Sequence, residues 1–171
     1  MAKADISVID FAIQAEKDGV SFYTKAANMF KDRDLREFFI KLAKQEAKHL
    51  EEFIGLKEKA LKKGVEEYFK SVEVDDYLDA VVREGIFPKG ESMIERLAAV
   101  KTVEDACKIA LQAERNAILL YTELVKISKD KAQKKILERL LDEEKSHLAR
   151  IASLRADYDP LYAAQRFGKV C

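Results

Sequence analysis

Cysteine is scarce in this chain of 171 residues: Cys107 and Cys171 are the only two. That is too few for a disulfide framework or for a four-thiolate metal site built from paired C-x-x-C motifs, so a reducing, cytoplasmic setting is expected. Net charge is missing as well, because 31 lysines and arginines balance 31 aspartates and glutamates. No overall basic field recruits nucleic acid or an anionic membrane, and neither partner is expected. No run approaches the roughly 18 apolar residues of a membrane span, and Met1 to Asp5 lack the apolar stretch of a signal peptide. Proline occurs twice, at Pro88 and Pro160, and glycine six times. Little in the chain therefore interrupts long helices.

What is there is helical. Apolar residues recur at three- and four-residue spacing, as in Ile6, Ile9, Ile13, Val20 and Tyr23 and again in Leu35, Phe38, Leu42, Phe53 and Leu56. Such stripes mark amphipathic helices. Asp32, Thr102 and Asp130 stand just before stripes, where a side-chain oxygen can accept from the unpaired N–H groups that open a helix. The pattern predicts helices over 5–29, 33–62, 103–127 and 131–156. It also predicts an apolar crossover over about 63–102 with short helices near 75–84 and 91–99. The expected architecture is all-α: one bundle domain over 1–157, followed by a tail over 158–171.

The chain also repeats itself. Glu16 and Glu114, Glu46 and Glu144, and His49 and His147 are each separated by 98 residues. The same shift aligns Gln14 with Gln112, Tyr23 with Tyr121, Thr24 with Thr122, Asp32 with Asp130 and Leu50 with Leu148. Two homologous helical hairpins explain this, and a long crossover lets them pack as one four-helix bundle. Within each hairpin the two glutamates are equidistant from the turn, at a depth of about 22 Å.

Apolar neighbours surround all four: Ala12, Ile13 and Val20 near Glu16, Leu42 and Phe53 near Glu46, Ala110 and Leu111 near Glu114, and Leu140 and Ile151 near Glu144. Four buried carboxylates at one level need compensation, and two divalent cations would neutralise them. Glu46-x-x-His49 and Glu144-x-x-His147 put each pair on one helix face and use both histidines of the chain. By composition alone that coincidence has about one chance in a hundred. Mixed carboxylate and imidazole ligands suit iron, with manganese as the alternative, better than a closed zinc site.

One Glu on the first and third helices with E-x-x-H on the second and fourth resembles the rubrerythrin and ferritin-like di-iron family over roughly 5–156. The resemblance implies two iron ions per chain. Glu16 and Glu114 would be terminal ligands, Glu46 and Glu144 bridges, and His49 and His147 one ligand to each metal. Tyr23 and Tyr121, seven residues after Glu16 and Glu114 on the same faces, are candidates to hydrogen-bond toward the site.

Rubrerythrins typically add a carboxylate three residues after the third-helix Glu. Here that position is Ala117, with Gly19 as its counterpart, which implies a more symmetric site. The four-cysteine rubredoxin domain of many relatives has no equivalent in these residues, so electrons would come from a separate donor such as a rubredoxin. The implied activity is reduction of hydrogen peroxide to water. The alternatives are a ferroxidase using dioxygen or peroxide, an iron-storage protein, and a non-catalytic metal sensor. The apolar crossover predicts a homodimer.

Overall fold

The computed structural model describes residues 8–62 and 98–167. Five helices occupy them: α1 (Val8–Met29), α2 (Arg33–Lys62), α3 (Val103–Ile127), α4 (Lys131–Tyr158) and α5 (Pro160–Phe167). The first four match the helices expected from the apolar stripes to within a few residues. The crossover and its expected short helices fall almost wholly outside the described residues, as does any helix before Val8. Among the described residues no helix is long and apolar enough to cross a membrane.

Side chains fix where the helices start. Asp32 Oδ1 accepts from the Leu35 N–H at 2.9 Å. Its repeat partner Asp130 accepts from the N–H groups of Ala132 and Gln133 at 2.9 and 3.0 Å. Thr102 opens α3 through a reciprocal box: its Oγ1 accepts from the Asp105 N–H, while Asp105 Oδ2 accepts from the Thr102 N–H, both at 3.1 Å. Each cap satisfies donors that the first turn leaves open. Replacing Asp130 with alanine is expected to cost about 1 kcal/mol. A melting curve should show the drop, and an unchanged midpoint would mean that water caps α4 equally well.

The turns at 30–32 and 128–130 are short, so each hairpin is antiparallel. Backbones approach closely within the hairpins, α1 on α2 and α3 on α4, and only sparsely between them. Between the hairpins it is side chains that meet. Phe22, Phe39, Leu42, Phe53 and Leu56 from the first hairpin and Leu111, Leu120, Leu124, Leu140 and Ile151 from the second are almost wholly buried. Burying each such side chain contributes about 1.5–3 kcal/mol.

The segment expected as a tail contains α5. Pro160 cannot continue α4, but its fixed φ suits the first turn of a new helix. Asp159 caps that helix by accepting from the Tyr162 N–H at 3.0 Å. The Arg155 guanidinium lies 4.1 Å from the centre of the Tyr162 ring and bonds Asp159 at 3.0 Å, tying α5 back to α4.

Candidate metal centre

The six residues singled out by the repeat converge at mid-bundle. Glu16, Glu46, Glu114 and Glu144 are 1–3% exposed and both histidines 0%. This is the reverse of what solvated surface Glu–His pairs would show. They form two overlapping groups, Glu16–Glu46–His49–Glu144 and Glu46–Glu114–Glu144–His147, whose candidate ligand atoms all lie within 4.8 Å of one another in each group. Glu46 and Glu144 belong to both.

The oxygens divide accordingly. His49 Nδ1 lies 2.8 Å from Glu144 Oε1, 3.5 Å from Glu46 Oε2 and 3.9 Å from Glu16 Oε2. His147 Nδ1 lies 3.2 Å from Glu46 Oε1, 3.3 Å from Glu144 Oε2 and 3.7 Å from Glu114 Oε2. Glu46 and Glu144 thus turn one oxygen to each histidine, whereas Glu16 and Glu114 each face only one. The two imidazole rings stack at 5.4 Å, nearly parallel.

Short distances here are not matched by hydrogen-bond alignment. Nδ1 of both histidines, Oε1 of Glu46 and of Glu144, and Oε2 of Glu16 are buried without a hydrogen-bond partner among the described residues. Burying such atoms without partners is costly, so the arrangement calls for a third body. Ligand atoms at right angles about one ion, about 2.1 Å from it, stand about 3 Å apart. The closest contacts in each group are of that size, and the oxygen-rich donor set with one imidazole per group suits iron or manganese. The residues fit a pair of divalent cations.

Without a cation the cluster balances its charge with protons. Burial, reinforced by the charges of Glu46 and Glu144, holds Glu16 well above the ordinary carboxylate range. Burial and the Glu144 charge do the same to Glu114. Burial would also raise Glu46, but the facing imidazoles of His147 and His49 outweigh it and hold that carboxylate low. Glu144 is lowered by the same imidazoles against both burial and the Glu46 charge. Burial opposes a charged imidazole, yet the surrounding carboxylates push His49 up to about 10 and His147 up to about 12. Protons held on the raised groups thus offset part of the cluster's negative charge.

Tyr23 and Tyr121 do reach the cluster, each by crossing to the opposite hairpin. The Tyr23 hydroxyl donates to Glu114 Oε1 and the Tyr121 hydroxyl to Glu16 Oε1. The oxygen of Glu16 and of Glu114 that turns away from its histidine is therefore the one held. Tyr23 packs against Phe22 and Phe39, and Tyr121 against Phe53. Burial and the Glu114 charge raise the Tyr23 phenol, which keeps it a donor.

Cys107 is fully buried, and burial pushes its thiol up to about 12. It fills the place of its repeat partner Ile9 in the core. Lys44, Lys48 and Lys145 are exposed on outer faces. Ala117 is buried beside Glu114 and brings no further carboxylate.

One participant was not foreseen. Glu143 Oε2 meets His49 Nε2 at 2.9 Å, and its other oxygen accepts from Arg139 at 2.7 Å. In the sequence it is merely the residue before Glu144. The only available signal was the mismatch across the repeat, where Gln45 is its counterpart.

Comparisons with known proteins agree with this geometry. The chain resembles a solved ferritin-like diiron-carboxylate protein from Thermotoga maritima with a TM-score of 0.70 and 23% identity, over 92% of this chain and 99% of that one. At that identity the likeness speaks for the fold. No curated protein matches. The Rubrerythrin family model matches residues 7–155. With nearly the whole bundle covered, the chain belongs to the rubrerythrin family.

Proposed function

We propose that the chain is a non-haem di-iron redox protein that reduces hydrogen peroxide to water with electrons from a separate donor. One observation carries the reading: Glu46 and Glu144 each present one oxygen to His49 and one to His147. That is what two carboxylates shared by two ions require. Glu16 with His49 and Glu114 with His147 would complete the two positions. When bound, a ferrous pair supplies two electrons and Lewis acidity. Peroxide takes up those electrons with two protons and leaves as two waters.

The chain's own groups do the rest. The apolar flanks exclude water and so strengthen each charge interaction inside the site. Tyr23 and Tyr121 keep the terminal carboxylates oriented across the hairpin interface. The electrons would come from a separate donor protein, such as a rubredoxin in the same cytoplasm. We place the working unit as a homodimer, on the apolar character of the crossover sequence.

Ala117 favours a second reading, a ferroxidase or iron-storage role, because without a further carboxylate the ligand set is symmetric. Iron-loaded protein, reduced without oxygen and mixed with either oxidant, separates the two. It should carry about two metals per chain and oxidise faster with peroxide than with dioxygen. The reverse preference in stopped-flow traces would transfer the assignment to the ferroxidase, and no bound metal after anaerobic loading would remove both.

A further inference from the structure

The six inner residues obey the twofold repeat, but the residues behind the histidines do not. His49 Nε2 meets Glu143 at 2.9 Å. Glu143 is held in turn by Arg139 at 2.7 Å, and Arg139 also donates to Glu52. At the equivalent places in the other half stand Gln45 for Glu143, Lys41 for Arg139 and Arg150 for Glu52. Gln45 does not serve His147: its Oε1 accepts from Arg150 Nη2 at 2.8 Å. Nε2 of His147 is buried and has no hydrogen-bond partner among the described residues.

This difference acts on the imidazole as a ligand. An ionised carboxylate only accepts, so Glu143 fixes the proton on Nε2 of a neutral His49 and leaves the lone pair on Nδ1, facing Glu46 and Glu144. It also locks the ring and makes Nδ1 a stronger donor. Loss of such an outer partner typically lowers metal affinity about 10–100-fold. His147 has neither the lock nor the added basicity. Burying its Nε2–H unpaired further penalises the tautomer that a metal at Nδ1 would need.

We propose that the two metal positions are inequivalent: Glu143 is a positioning residue that makes the His49 position the tight one, and the His147 position is the one that loads last and exchanges. The inference rests on the two-metal reading above and specifies which position keeps its ion.

Anaerobic titration of the metal-free chain with Co²⁺, followed by the visible absorption of the bound ion, tests it. The parent should bind in two steps whose affinities differ about 10–100-fold. Glu143→Gln gives both halves the same residue at this place and removes the charge behind His49. It should weaken the tight step by a similar factor, leave the weak step unchanged and bring the two together. Arg139→Gln, on an exposed side chain, should do the same more weakly.

A role confined to folding would not move one proton signal alone. In the Co²⁺-loaded chain, the paramagnetically shifted N–H resonance of His49 should move in Glu143→Gln while that of His147 stays. Equal steps in the parent, or a variant that weakens both steps or neither, would overturn the inference and leave the two-metal reading standing. A parent that binds no Co²⁺ at all would overturn that reading and the inference with it.

Discussion

Replacing Glu46 and Glu144 together with leucine should raise the melting temperature of the metal-free protein and abolish the rise that ferrous iron gives the parent. Both carboxylates are almost fully buried and face each other across the histidines. Taking them out of water costs several kcal/mol each, which the facing imidazoliums only partly offset. The double substitution removes two charges and fills their space with apolar atoms. The histidines left behind need no counter-charge, since an imidazole with an ordinary value near 6.5 loses its proton at little cost near neutral pH.

Exchanges of buried ionic clusters for apolar residues have stabilised proteins by about 1–4 kcal/mol. In a chain of this size each kcal/mol corresponds to roughly 2–4 °C. Iron should stabilise the parent alone. At a hundredfold excess over its dissociation constant a ligand bound only by the folded state adds about 2.7 kcal/mol per site, and the variant would forgo it. Melting curves with and without ferrous iron, oxygen excluded, measure both effects. A variant that melts lower than the metal-free parent yet keeps its iron-dependent shift would sink the assignment of Glu46 and Glu144 as bridges.

Phe39→Ala should produce the other large effect, a loss of about 3–5 kcal/mol. Phe39 is wholly buried and central to an aromatic cluster, with ring centres at 5.4 Å from Phe38, 5.7 Å from Phe30 and 6.3 Å from Tyr23. Truncation leaves a cavity that the three neighbouring rings cannot easily fill. Against a typical total of about 5–15 kcal/mol, that is about a fifth of the stability or more. The void would also lie against Tyr23, whose hydroxyl holds Glu114. Phe39→Leu should cost much less, because leucine already occupies the equivalent place as Leu137 in the other hairpin, also buried. Denaturant midpoints at unchanged slope give both numbers. A loss below about 1 kcal/mol for the alanine variant would show that the cluster collapses around the gap.

The four bundle helices could be read from the sequence because each depends on local facts: stripe periodicity and the oxygen of Asp32, Thr102 or Asp130 one turn before the first free N–H groups. The convergence of the six inner residues was legible for a different reason. A common offset and equal depth in two hairpins constrain three dimensions with one-dimensional information.

Contacts set by the rotation of one hairpin against the other were not legible. Tyr23 shares a face with Glu16, but its hydroxyl ends on Glu114. Glu143 lies about 100° around the helix from Glu144, and only the packing of α2 against α4 turns it toward His49. The short α5 was missed because eight residues after Pro160 carry too little periodicity to stand apart from a tail.

The repeat has a consequence for how the centre can differ from itself. Two separate hairpins of identical sequence, paired about an axis, would supply the same six inner residues and the same crossed tyrosines. In such a pair every substitution appears twice, on both sides of the axis at once. Carrying both hairpins on one chain removes that constraint. Glu143 can be a carboxylate while its counterpart Gln45 is an amide, and Glu52 can bind Arg139 while its counterpart Arg150 is itself a cation. Covalent linkage thus permits something that symmetry forbids: a centre whose inner ligands are duplicated and whose supporting residues are free to diverge, one half at a time.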